Sequence, residues 1–309
     1  MNNKIKSILA VALFATYPTL SKFVLERNSP AVVSFLTEIL TGALLLFSFG
    51  FLPEIKKFLH LRERKALWIL ISMGLLAGTI GPVAMQMGFA HSSVLNGVLL
   101  ISLQSPFVII LSHFFLKEKI RTNHIVGIVA IMIGLIAYNT NLFSVTPHFS
   151  VYDGYFLLAA VAYSVANIIY KKKISHVPHE LALLVRNLFG GLIIFGAITL
   201  FSVESSVRVS FDAQSLIAIG LIVLIPILAA QSLWYSALEK IKSTEAAFFD
   251  ALYPMFAVSI AFFARGESMT SEQIVGGAIM MFGILFSQIH WHGHPTAWHE
   301  IRLQHFKQH

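Results

Sequence analysis

Cysteine is missing altogether from this 309-residue chain, which excludes disulfides, thiolate metal sites and cysteine nucleophiles. Charge is scarce as well: Asp, Glu, Lys and Arg make up 12% of the residues against 56% hydrophobic, and mean hydropathy is +0.76. Soluble domains are about 25% charged, so the chain lacks the polar side chains that would cover a globule in water. Hydrolase signatures are absent too. His179-Glu180 and His299-Glu300 lack the second histidine of H-E-x-x-H, and no G-x-S-x-G occurs. Short runs of alternating polarity, the mark of a membrane β-barrel, do not appear either.

Long apolar runs are what the chain has. Ten of them are expected to cross a bilayer as helices, over 6–25, 31–52, 66–90, 94–116, 124–143, 152–171, 181–201, 215–238, 245–263 and 272–291. Each is near the roughly 20 residues that span about 30 Å of hydrocarbon. The first run continues through Tyr17 and Pro18 to Leu25, too long for the apolar core of a signal peptide, so it reads as the first span. The formal charge of +7 would suggest nucleic acid in a soluble protein. Here the basic residues sit in loops and set orientation, so no nucleic-acid partner is expected. Seventeen of the 22 Lys and Arg fall on one side, among them Lys4, Lys56, Lys117, Lys171 and Lys240, and only Arg27, Arg208 and Arg265 on the other. Both termini are therefore expected in the cytoplasm, with the protein in the bacterial inner membrane.

The chain also repeats itself. FFLKEKIRTNHIVGIVAIMIGLI at 114–136 returns as FFARGESMTSEQIVGGAIMMFGILF at 262–286, about 148 positions later. Pro30 matches Pro178, Gly42 matches Gly190 and Pro106 matches Pro254 at the same offset. A period this long indicates a duplicated half-protein. The expected division is a first five-helix repeat over 1–143, a second over 152–291 and a His-rich cytoplasmic tail over 292–309. Five spans is an odd number, so the second half must run through the membrane inverted, an arrangement found in secondary transporters. The fold class is thus an all-α polytopic membrane protein.

The paired prolines, Glu118 and Glu267 at the ends of the fourth and ninth spans, and IVG-x6-G (Gly127, Gly134; Gly276, Gly283) in the fifth and tenth resemble the drug/metabolite transporter superfamily, EamA branch. The resemblance covers roughly residues 5–290. It implies export or exchange of small metabolites, often amino acids, through a central cavity lined mainly by spans 1, 3, 4, 6, 8 and 9.

Five prolines (Pro18, Pro82, Pro106, Pro226, Pro254) fall inside spans, where each removes a backbone donor and leaves a carbonyl in need of a partner. Small faces at Gly127, Ala130 and Gly134, at Gly276 and Gly283, and at Gly74-x3-Gly78 allow close helix contact. Charges inside a membrane are costly enough to require a partner or a wet cavity, which singles out Lys22, Glu38, Arg186 and Asp250 for coupling or ion pairing. Counted at about 1.5 Å per residue, Glu38 and Arg186 lie at different depths. Lys22 is therefore the expected partner of Glu38, and Asp250 that of Arg186. Two acids at different depths also suit proton transfer, and Asp250 is the preferred carrier.

Tyr17, Gln86, Asn96, Gln104, Tyr163, Asn167, Gln231, Trp234 and Tyr253 are the expected substrate-binding residues, because amides, hydroxyls and aromatic faces suit a zwitterion or a small flat metabolite. No cofactor and no metal are expected. The tail histidines His290, His292 and His294 alternate as metal ligands can, yet no second ligand cluster accompanies them. The expected function is a secondary transporter of small metabolites, most of all amino acids moved outward by alternating access. Protons and a homodimeric partner are further candidates. The alternatives are export of cationic or aromatic drugs or nucleobases, and a metal-responsive membrane sensor using the tail.

Overall fold

A computed structural model describes residues 2–49, 64–139, 150–174, 177–201, 208–241, 243–250, 252–267 and 269–288. The histidine cluster at 290–294 lies outside them. Among the described residues the chain is helical throughout, with no strands. Seven helices are long and apolar enough to cross a bilayer: α1 (Asn3–Leu25), α2 (Pro30–Ser48), α3 (Leu67–His91), α4 (Val94–Leu116), α6 (Val151–Lys173), α7 (His179–Leu200) and α8 (Ala213–Leu238). The other three segments expected to span coincide with α5 (Thr122–Asn139), the two-piece α9 (Ser243–Asp250 and Tyr253–Arg265) and α10 (Ser271–Gln288). These hold shorter apolar stretches. Apolar side chains face outward on many helices, as with Phe47, Phe114, Ile136, Leu200 and Phe263, which is what a lipid solvent requires. The protein is a multi-pass membrane protein.

Local chemistry sets where helices begin and end. Asn2 caps α1 by accepting from the Lys4 N–H at 3.1 Å, and Ser93 caps α4 by accepting from Asn96 at 3.1 Å. Ser150 opens α6 with a reciprocal box, in which its own N–H donates to Asp153 at 2.9 Å. α4 and α9 both close on a left-handed residue, Lys117 (φ 58°) and Gly266 (φ 66°), at matching places in the repeat. Glycine takes that conformation freely and lysine does not.

Every proline that the sequence places inside a span interrupts its helix. Proline cannot donate to the carbonyl four residues back. Accordingly α1 breaks at Ala15–Thr16 before Pro18, α4 at Ser102–Leu103 before Pro106, and α9 between Asp250 and Tyr253 before Pro254. α3 and α8 instead widen into π turns, Leu76–Ile80 before Pro82 and Val223–Ala229 around Pro226.

Helices meet where glycines allow it. α5 packs along α10, and a β-carbon added at Gly134 would lie 2.7 Å from the Gly276 carbonyl, one at Gly283 2.7 Å from that of Gly127. α2 crosses α7, with Gly42 against Leu188 and Gly191 against Ile39. α3 meets α7 backbone to backbone: a β-carbon at Gly78 would stand 2.3 Å from the Arg186 carbonyl, and one at Gly190 2.3 Å from that of Gly78. The α5–α10 and α3–α7 contacts use small faces the sequence marked; the one between α2 and α7 it did not mark.

Candidate substrate cavity

The helix interruptions converge on one central cavity of about 910 Å³ of atom-free space, its open mouth included. Residues beside the breaks line it: Phe14 and Tyr17 on α1, Ile101, Ser102 and Gln104 on α4, and Asp250 and Tyr253 on α9. The π turns contribute Ala77 on α3 and Pro226 and Ile227 on α8, followed by Gln231, Trp234 and Tyr235. Met85 on α3, Tyr163 and Asn167 on α6, Glu38 on α2 and Arg186 on α7 complete the wall.

Arg186 owes its position to a missing hydrogen. In the π turn of α3 the Gly81 N–H reaches five residues back, to the Leu76 carbonyl. The next carbonyl in that register, Ala77, would be served by residue 82, and Pro82 has no N–H. Arg186 serves it instead, donating from Nε at 3.2 Å and from Nη2 at 2.9 Å. Three of the five guanidinium N–H groups remain for the cavity, with the Tyr235 hydroxyl beside them.

The acidic groups are held differently. Asp250 accepts from Gln104 Nε2 at 3.1 Å, which joins the interrupted centres of α9 and α4. Glu38 is 2% exposed, and its Oε2 is buried with no hydrogen-bond partner. Gln231 Oε1 and the Tyr253 hydroxyl are also buried without partners. Unpaired polar atoms of this kind are costly, and all three belong to residues that line the cavity.

Seven of the nine residues expected to bind substrate line the cavity, as do Glu38, Arg186 and Asp250. Gln86 stands one layer back: it is fully buried and donates to the Tyr17 hydroxyl at 2.9 Å and to Ser21 at 3.2 Å. Asn96 is far from the cavity, near the start of α4, where it donates to Ser92 at 2.8 Å and to Asp153, the capping residue of α6. Neither expected ion pair forms. Lys22 sits at the end of α1 among Glu26, Arg265 and Glu267, while Asp250 turns to Gln104. Glu38 and Arg186 share the cavity and interact electrostatically. Counting depth along separate helices overlooked that α2 and α7 cross in contact. The sequence reading also missed Phe14, Ala77, Met85 and Ser102. For Ser102 a signal was available, since it lies four residues before Pro106, which cannot donate to its carbonyl; the Ser105 N–H takes that carbonyl instead, at 3.2 Å.

Polar ties close the bundle at both ends. At the Arg27 end, Arg27 pairs with Asp212, Arg265 with Glu26 and Glu267, and the Leu95 N–H donates to Glu267. At the Glu239 end, Glu239 accepts from the Tyr170 hydroxyl at 2.9 Å and meets His179 at 3.3 Å. Lys171 there covers the carbonyls of Leu238, Glu239 and Ile241.

Comparison with known proteins agrees with this architecture. The model of the EamA-like transporter family matches twice in succession, over residues 5–140 and 151–288. A riboflavin transporter, ImpX, of Fusobacterium nucleatum is 27% identical over 303 residues, covering 92% of this chain and 98% of its own. An uncharacterized transporter of Methanothermobacter thermautotrophicus is 22% identical over 303 residues, covering 94% and 86%. One protein of known crystal structure superposes with a TM-score of 0.68 at 17% identity, over 92% of this chain and 96% of its own. The chain belongs to the EamA-like transporter family, and it is a membrane transporter of small molecules, not an enzyme.

Proposed function

We propose that this protein is a secondary transporter that moves amino acids or closely related metabolites outward across the bacterial inner membrane. The observation that carries the reading is a cavity holding Arg186 opposite in charge to Glu38 and Asp250. A zwitterion needs both signs within one small space. Arg186 offers its remaining donors to a carboxylate, and the unpartnered Oε2 of Glu38 offers an acceptor to an ammonium group.

The two halves act as inverted five-helix repeats, ten spans in all, that alternate access to the cavity. Support comes from features recurring about 148 positions apart: the π turns of α3 and α8, the breaks in α4 and α9, and the left-handed residues Lys117 and Gly266. The excess of Lys and Arg on one side supports cytoplasmic termini. Asp250 is the candidate for proton coupling, since it lies in the cavity with a neutral amide as its partner.

A second reading is favoured by the walls. Six aromatic residues line the cavity, and a relative named for riboflavin makes a flat heteroaromatic the next candidate. Uptake of labelled amino acids, nucleobases and riboflavin into proteoliposomes, with and without an imposed pH gradient, tests both. Amino-acid flux accelerated by the gradient, and uncoupled from it in Asp250→Asn, is the expected result. Flux of riboflavin alone would transfer the site to the second reading.

A further inference from the structure

The cavity wall carries three ionisable charges among the described residues, two acidic (Glu38, Asp250) and one basic (Arg186). With both acids ionised, a neutral zwitterion leaves that sum at one negative charge. An uncompensated charge at the bilayer centre is costly even on lenient scales, so the loaded cavity is most stable when its contents bring one positive charge. Two of the three unpartnered cavity atoms share that bias, the Tyr253 hydroxyl being the exception. Glu38 Oε2 and Gln231 Oε1 are acceptors buried without a donor, and the Gln104 amide meets only one oxygen of Asp250. What Glu38 and Gln231 lack is a donor.

The walls suit a cation as well. Phe14, Tyr17, Tyr163, Trp234, Tyr235 and Tyr253 surround the space, and aromatic faces attract ammonium and guanidinium groups, most strongly where water is excluded. Arg186 does not cancel this preference. Two of its nitrogens are committed to the Ala77 carbonyl, so it is fixed at one side of the cavity and cannot swing across to neutralise both acids.

We infer that the ligand is a basic amino acid, carrying one carboxylate for Arg186 and two cationic groups for Glu38 and Asp250. The inference rests on the amino-acid reading above and adds the net charge of the substrate to it. It also assigns specificity: Asp250 reads the side-chain cation.

Arginine and citrulline make the test, because they share shape and differ by one charge. Binding of each to the purified full chain in proteoliposomes is measured by competition against labelled arginine, with labelled leucine and glutamate uptake recorded in parallel. The expected result is arginine at least tenfold tighter than citrulline, with the ratio falling to within about twofold in Asp250→Asn through loss of arginine affinity. Citrulline or leucine taken as well as arginine by the unaltered protein would overturn the inference and leave amino-acid transport standing. A ratio that survives in both Asp250→Asn and Glu38→Gln would overturn it equally. Absence of binding and flux for every amino acid would overturn the amino-acid reading itself. The comparison within the unaltered protein decides the case even where a variant fails to fold.

Discussion

The π turns of α3 and α8 stand at the same place in the two halves of the chain, yet they end differently. Each shifts its hydrogen bonds to a five-residue spacing: Gly81 reaches Leu76, and Ala230 reaches Ile225. After the turn in α3 comes Pro82, so the Ala77 carbonyl is left over and a cation from α7 takes it. After the turn in α8 comes Gln231, which keeps its N–H, and the matching residue on α2 is an acid, Glu38. The packing differs in the same sense. Gly78 lets the backbones of α3 and α7 touch, whereas Pro226 fills the matching position in α8. The family model matches both halves, yet differing residues give one an anchored positive charge and the other an unanchored negative one.

The sharpest way to break that comparison is to add volume at Gly78. A β-carbon there would stand 2.3 Å from the Arg186 carbonyl and 3.1 Å from the Gly190 Cα, both backbone atoms. Gly78→Ala should cost about 1–3 kcal/mol by overpacking and Gly78→Leu should abolish folded protein. Pro226→Ala removes ring atoms and adds no new branch, so it should change stability by less than about 1 kcal/mol. Thermal unfolding of the detergent-purified variants, followed by size-exclusion profile, checks both. Equal losses at the two positions would mean that the halves do not differ in packing as described.

A gentler change restores the missing hydrogen. Pro82→Ala gives residue 82 an N–H that can serve the Ala77 carbonyl, so Arg186 loses its exclusive hold. A charge-assisted hydrogen bond contributes about 1.5–3 kcal/mol, and part of that is expressed as looser positioning of the guanidinium. The expected outcome is a KM raised about tenfold, equivalent to about 1.4 kcal/mol, with the maximal rate and the thermal midpoint little changed. A KM equal to that of the unaltered protein would show that anchoring Arg186 is irrelevant to substrate.

Much of this architecture was legible in the sequence, and the reasons are local. Long apolar runs dictate helices because a bilayer leaves the backbone no other way to bond. Proline inside a span dictates an interruption, so Pro18, Pro82, Pro106, Pro226 and Pro254 marked five of the helices that line the cavity. Polar residues deep in those helices, such as Gln104 and Gln231, were found for the same reason. What stayed hidden depends on how helices cross. Nothing in the order of residues shows that Glu38 and Arg186 share a space, or that Asn96 serves Asp153 at the edge of the bundle. Ala77 was invisible because its function resides in a carbonyl group and not in its side chain.

The smallest effect separates the cavity charges from the charges that tie the ends. Asp212 lies outside the spans, and hydrogen bonds from Ser215 and Ser210, with Arg27 beside it, hold its carboxyl well below the usual carboxylate range. A depressed value means that the charged form is the one the folded protein favours. Its contribution is therefore complete above the unfolded value near pH 4 and declines only as the medium becomes more acidic than that. Between pH 5 and 8 the tie should be constant, and because Asp212 is exposed to solvent, Asp212→Asn should lower the thermal midpoint only slightly and by the same amount throughout. Unfolding curves of both proteins at pH 5, 6, 7 and 8 check this. A gap that widened or closed within that interval would place a titrating partner at the Arg27 end. Any pH dependence of transport would then belong partly to that end and not to Asp250 alone.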